Sequence, residues 1–465
     1  MSKLSTPRLM IGGTGAGVGK SLITLGIAQE LRRDNTSVSC LLTAPHLSQA
    51  LILRRALGRY VGILDSHILS APQIATGVLR ASLGADVVLI DGSKGIFDGV
   101  GPQLQRGSDA EIAALLKIPT VLVADVSHCG ATIGPLMRGF EQPGYGFDIV
   151  GYLFNRAAGE RGVSDEEFYR DVAKKYGLKP VYGVVPELSL DGEIPSNWLS
   201  QRDNVVSLGR QFSVDLSAAV RKSISMDGLL VCAGDADVVD LPEIEINPAP
   251  RRCRIAVADD PCFGISFQDN FDLLRLYGAE VVPFSPLADA RLPARIGAVY
   301  LGGAMLRDYG RDLAANDGMR EALCGFVEQG GVVYAEGGGA VYLCQSFQIS
   351  KDEGPCQGVG IIPAVAVEAK SGWSYCETVT IEDSVLGRAG SILRGVYPED
   401  WRIQREDKIV KVSRISRARA AGFPEGYSPS AQVYATLALN HFGANPDIAR
   451  SIVESAEVNY KITKS

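Results

Sequence analysis

Two stretches in which apolar runs alternate with helical patterns, separated by an acidic, proline-bearing segment, predict an α/β protein with two parallel-sheet domains. A third observation gives the first domain its character. Directly after the apolar run 9–11, residues 12–21 read Gly-Gly-Thr-Gly-Ala-Gly-Val-Gly-Lys-Ser. This is a strand turning through a glycine-rich loop into a helix, the pattern of a phosphate-binding loop.

In the first half, strands are expected at 9–11, 38–42, 87–90, 120–124, 149–154 and 181–185. Helices are expected at 21–32, 110–116 and 165–176, which covers the sheet on both faces. The alternation stops after Cys232. Residues 235–250, acidic and bearing Pro242, Pro248 and Pro250, read as a linker. A second alternating unit runs through 254–258, 271–277, 280–284, 298–301 and 331–335, and about 200 residues suffice for one further domain.

Composition narrows the function classes. Charges are interspersed and the net charge is −7, so no basic footprint for nucleic acid is expected. No apolar run approaches the ~20 residues that span a bilayer, so no membrane association is expected. Nine cysteines without a short repeated spacing suit a reducing, cytoplasmic setting. With four histidines and no Cys-x-x-Cys pair, a zinc site is not expected.

The loop chemistry points to a nucleotide with Mg2+. Glycines let successive N–H groups turn toward phosphate oxygens, and the helix start beyond them favours anions. Thr14, Gly15, Ala16, Gly17, Val18, Gly19, Lys20 and Ser21 are the expected nucleotide-binding residues, with Lys20 reaching the terminal phosphates as a catalytic cation. Ser21 and Asp91, the acid ending the apolar run 87–90, are the expected magnesium ligands, although an Asp-Gly pair also suits a turn. Asp98, on the loop Gly95-Ile96-Phe97-Asp98-Gly99, either orients a metal or substrate as a catalytic acid or makes a turn. Asn155, after the run 149–154, sits where a base or phosphate is read.

The loop Gly13 to Ser21 resembles the deviant phosphate loop of dethiobiotin synthetases and of cobyrinic acid a,c-diamide synthases. Further stretches resemble the latter family in order. They are Asp91-Gly92 through Gly95-Ile96-Phe97-Asp98-Gly99, Gly107-Ser108-Asp109-Ala110-Glu111-Ile112-Ala113, Leu153 to Arg156, Ile255 to Asp260, Phe284 to Leu287, and Tyr334 to Gly339. The resemblance spans nearly the whole chain. It implies a parallel-sheet phosphate-loop NTPase-like domain at 1–232, a linker at 233–252, and a class I glutamine amidotransferase-like α/β domain at 253–465. It further implies ATP-dependent phosphorylation of a tetrapyrrole carboxylate, followed by amidation with ammonia from glutamine. A homodimer is compatible with it.

The chain departs from that family at chosen positions. The family's Ala-Glu-Cys-Gly-Gly is Ala335-Glu336-Gly337-Gly338-Gly339 here, so no thioester forms at Gly337. Cys344 lies seven residues on, about two helical turns away, too far to substitute. The family's His-x-His-Phe is Leu439-Asn440-His441-Phe442, leaving His441 as a packed or hydrogen-bonded remnant. Its Lys-x-Gly-Pro-Asp is Leu42-Thr43-Ala44-Pro45-His46, which weakens a hard-cation site. Three readings follow. The first is an amide ligase fed by free ammonia or by a separate ammonia source. The second is a nucleotide-dependent protein that holds a tetrapyrrole or a partner without amidating it. The third is an amidase of a sirohydrochlorin or sirohaem side chain.

Overall fold

The computed structural model describes residues 2–99, 106–141, 146–157, 164–187, 210–241, 248–350, 354–370, 372–404, 411–417 and 420–462. They form two compact units, the first ending within the described residues at Leu241 and the second beginning at Pro248. Both are α/β.

The first unit is built on β2 (Arg8–Gly13), β3 (Val38–Leu42), β4 (Val61–Ile63), β5 (Val87–Asp91), β6 (Thr120–Asp125), β7 (Ile149–Ala157) and β8 (Val181–Pro186), after a short β1 (Ser2–Leu4). The seven form one sheet in the order β4-β3-β5-β2-β6-β7-β8, with every pairing parallel. Strands β2, β3 and β5 are buried along their whole length, as a sheet covered on both faces requires. The chain leaves β2 toward β3 on one side and later crosses to β6 on the other. That reversal opens a crevice at the carboxyl ends of the strands, where α/β sheets hold ligands. The edge strand β4 escapes sequence reading because three residues with a central glycine carry little periodicity.

The expected linker is partly structured. Helix Met226–Gly234 reaches into it, and β9 (Val239–Leu241) pairs antiparallel with β1. The buried Arg8 fixes this segment by donating to the carbonyls of Asp237 and, at 2.9 Å, Leu116. Residues 242–247 of the expected linker lie outside the described residues.

The second unit carries a ten-stranded sheet. Its parallel half is β10 (Cys253–Ala258), β12 (Ala279–Phe284), β13 (Ala298–Leu301), β15 (Val332–Glu336) and β24 (Val433–Thr436). An antiparallel half continues from β24 through β23 (Ala420–Tyr427), β22 (Lys411–Arg417), β19 (Trp373–Thr380), β20 (Ile392–Pro398) and β25 (Leu439–Asn440). Alternate residues of the parallel strands fill two cores. Val299, Leu301, Val333 and Ala335 join one, whereas Ala298, Tyr300, Val332 and Tyr334 join the other with helix Asp447–Ile462.

Candidate functional site

The phosphate loop spans the gap between β2 and helix α1 (Lys20–Arg33). Gly17 and Gly19 have φ of 75° and 95°, in the left-handed region where a Cβ is costly. Space demands glycine as well: a Cβ on Gly19 would lie 2.2 Å from Asn155 Nδ2, and one on Gly13 2.7 Å from Lys20 Cδ. The Thr14 N–H donates to the Val123 carbonyl at 2.9 Å, which pins the loop to β6. No acid occupies the first turn of α1, and Gly19 brings no side-chain cap, so the helix start suits an anion. Buried Lys20 folds back, its Nζ donating to the Gly15 carbonyl at 2.9 Å. Asn155 ends its reach on the loop, with Nδ2 donating to Val18 O at 2.9 Å.

Three carboxylates surround Lys20. Burial lowers the lysine's pKa, while Asp109, Asp91 and Asp98 act in the opposite sense. Asp91 sits at the end of β5, beside Ile11 of β2 and Leu42 of β3. Its carboxylate accepts from Thr24 Oγ1 at 3.0 Å and from Gln49 Nε2, which also lies 2.5 Å from Ser21 Oγ. Burial pushes Asp91 up to about 7 against the pull of the Ser21 and Thr24 hydroxyls and of Lys20. Asp109 opens helix Asp109–Leu115, where it accepts from Thr43 Oγ1 at 2.5 Å and is pushed up to about 6 by burial. Its other oxygen, Oδ2, is buried without a hydrogen-bond partner among the described residues. Asp98 is exposed, and its carboxylate accepts the Gly95 N–H at 3.0 Å, closing its own turn.

Among the described residues no group of three or more His, Cys, Asp or Glu gathers as a metal site. Magnesium needs less. One or two carboxylates together with a hydroxyl and phosphate oxygens suit it, and Ser21, Asp91 and the open oxygen of Asp109 supply hard donors. His46 immediately precedes helix Leu47–Leu57, and burial with Lys94 and Lys20 nearby lowers its pKa, an environment hostile to a further positive charge. Leu42 is buried in the sheet.

In the second unit Gly337 forms the sharp turn between β15 and helix Gly338–Tyr342, with φ 54° and ψ −125°. A Cβ there would lie 2.9 Å from Leu439 Cδ2 and 3.4 Å from Gly303 Cα. The Gly337 N–H donates to Thr436 O and that of Gly339 to Gly302 O. Glu336 is buried and accepts from Tyr300 at 2.6 Å, Tyr334 at 3.0 Å and the Asn440 N–H at 3.1 Å; burial pushes it up to about 7. His441 is packed 4.6 Å from the Phe267 ring, its Nδ1 accepting the Gly443 N–H and its Nε2 3.4 Å from Asp269. Cys344 does not continue the helix, which ends at Tyr342; it opens a strand, Cys344–Gln348. Its buried thiol is pushed up to about 12, the opposite of an activated nucleophile.

Residues 254–381 match the model of the CobB/CobQ-like glutamine amidotransferase domain. The cobyrinate a,c-diamide synthase of Dehalococcoides mccartyi is 29% identical over 99% of this chain and 100% of its own length. That of Streptococcus sanguinis is 28% identical over 94% and 96%, and that of Leptospira interrogans 26% over 97% and 99%. Along nearly its whole length the chain is similar to cobyrinate a,c-diamide synthases.

The first unit brings together Lys20, Ser21, Asp91 and Asn155, all anticipated from sequence, and leaves Asp98 exposed. Sequence reasoning missed Asp109, Gln49, Thr24 and Thr43. Asp109 had a signal, since Gly107-Ser108-Asp109 lies in a stretch resembling these synthases. Its place after the capping Ser108 suggests only helix-end chemistry. The partners of Gln49 lie 28 and 42 residues away in sequence, and no local pattern announces them.

Proposed function

We propose that this chain is an ATP-dependent amide ligase that activates a carboxylate of a cobyrinic acid-like tetrapyrrole and takes ammonia not made in its own second unit. One observation carries the reading: a glycine-lined phosphate loop with Lys20 among carboxylates stands in the same chain as an elbow with a glycine in the nucleophile's place. When bound, magnesium ATP would supply a phosphoryl group that converts a poor electrophile, the carboxylate, into an acyl phosphate with a good leaving group. Lys20 and the loop N–H groups would hold the phosphates and stabilise charge on the group in transfer. Ser21 and Asp91 would hold the metal, and the charge of Asp109 would act on Lys20. Asp98, exposed at the rim, would orient the incoming carboxylate. The second unit would serve as a scaffold, since Gly337 offers no sulfur and His441 caps its own turn.

ATP consumption measured with cobyrinic acid tests this, with ammonium and glutamine as separate nitrogen sources. Ammonium-supported amide formation is expected, and glutamine is expected to fail. Release of glutamate at a rate matching ATP turnover would overturn the ammonia assignment. The Gln49 amide bridging Ser21 and Asp91 favours a second reading, in which the chain binds nucleotide and a tetrapyrrole or partner without catalysis. Tight ATP binding with no turnover on cobyrinic acid or sirohydrochlorin would select it.

A further inference from the structure

The amide of Gln49 stands where a cation would be expected. Helix Leu47–Leu57 begins just beyond β3, and Gln49 in its first turn reaches the start of α1 and the end of β5. Its nitrogen faces two oxygens at once, Ser21 Oγ at 2.5 Å and Asp91 Oδ2. The –NH2 end faces Asp91, the orientation that an ionised carboxylate, which only accepts, calls for. The two N–H dipoles thus draw together the hydroxyl and carboxylate that a divalent ion would draw together. Lys20 is likewise turned inward onto Gly15 O. Ser21, Asp91 and Lys20 are all held by partners from within the chain.

We infer that Gln49 competes with the divalent cation for Ser21 and Asp91, so that metal entry requires the amide to swing out and this chain binds magnesium weakly for a phosphate-loop site. The inference rests on the ligand assignment of Ser21 and Asp91 proposed above. Its consequence is a nucleotide site in which the metal arrives late and loosely. The half-buried, unbranched side chain at the start of its helix can make the swing by rotamer change alone, without moving the sheet. Asp91 remains hydrogen-bonded to Thr24 after the amide leaves, so the carboxylate stays in place to receive the ion.

Manganese(II) binding without nucleotide, read as free Mn2+ by electron paramagnetic resonance, tests the inference. The proteins are the wild-type chain, Gln49→Ala, Gln49→Met, and Gln49→Ala combined with Asp91→Asn. Gln49→Met keeps the volume and removes both donors, so it decides the matter if the alanine variant folds poorly. Loss of a hydrogen bond to a carboxylate should tighten Mn2+ binding by about tenfold in both single variants. Asp91→Asn should abolish that gain. Equal Mn2+ affinity in wild type and both single variants, or no detectable binding to any of them, overturns the inference, as does a gain that survives Asp91→Asn. Calorimetric titration with ADP in EDTA reports separately on the phosphate loop. Failure of ADP to bind any variant would defeat the nucleotide reading and leave the Mn2+ comparison interpretable.

Discussion

Leu439 fills the space in front of Gly337: its Cδ2 lies 2.9 Å from the position a Cβ on Gly337 would take. The two positions at which the chain departs from the glutaminase pattern therefore face each other. The elbow at Gly337 has φ 54° and ψ −125°, a region in which a side chain would be strained. Strand β15 is paired with β24 up to Glu336, and the Gly337 N–H donates to Thr436 O, which fixes the turn between them.

Glutamate release from glutamine should therefore be absent in the wild type and in Gly337→Cys. A thiol at position 337 would meet a leucine methyl and lack a base. Gly337→Cys combined with Leu439→His relieves the contact and supplies an imidazole, so release by the double variant alone is the expected pattern. Gly337→Ala should cost about 1–3 kcal/mol in urea unfolding, the usual penalty for a Cβ in this backbone region.

Lys20→Ala should abolish ATP binding in calorimetry, because it removes the buried ammonium beside the loop. Asp109→Asn should leave affinity nearly intact and lower any ATP turnover on the order of a hundredfold. The amide still accepts from Thr43 while losing the charge that faces Lys20. Equal loss of affinity in both variants would mean that Asp109 only shapes the loop.

The pH dependence of stability has a definite sign in the second unit. Glu425 is buried, accepts from Thr436 Oγ1 and the Leu437 N–H at 2.7 Å each, and is pushed up to about 7 by burial. Between its unfolded value and 7 the folded state holds the extra proton, so stability must fall as pH rises through that window. Glu425→Gln keeps the Leu437 acceptor and can donate to Thr436, so it should flatten the fall by a few kcal/mol at most. Urea unfolding at pH 5 and pH 8 for both proteins checks it; a wild type more stable at pH 8 contradicts it.

What sequence made legible follows from what is local. The glycine run, the lysine and serine at the helix start and the acid ending an apolar strand are contiguous patterns, and their places in the structure match that reading. Gln49 was not legible as a site residue because its contacts with Ser21 and Asp91 arise from tertiary approach alone, and Asp109 was signalled only by the family-like stretch around it. The antiparallel half of the second sheet was hidden for another reason. Lys411–Arg417 carries three basic residues and Ala420–Tyr427 contains glycine and proline, so neither shows an apolar run. The strand inside the expected linker was not legible because Val239–Leu241 is too short to declare itself before its partner Ser2–Leu4 is known.

Asn155 separates two meanings of a nucleotide-site residue. A base-reading role requires its amide to reach the ligand. The structure shows Nδ2 donating to Val18 O at 2.9 Å and pressed against Gly19, so the amide braces the loop. Bracing acts on the phosphates, which all nucleoside triphosphates share. Asn155→Ala should therefore weaken ATP and GTP alike, by about tenfold for one lost buried hydrogen bond and a loosened loop. Asn155→Asp should be worse for both, because a carboxylate would face the Val18 carbonyl and repel phosphate. Competition titrations with the two nucleotides measure the ratio directly. A loss confined to ATP, with GTP affinity unchanged, would assign Asn155 to the base and remove it from the loop's support.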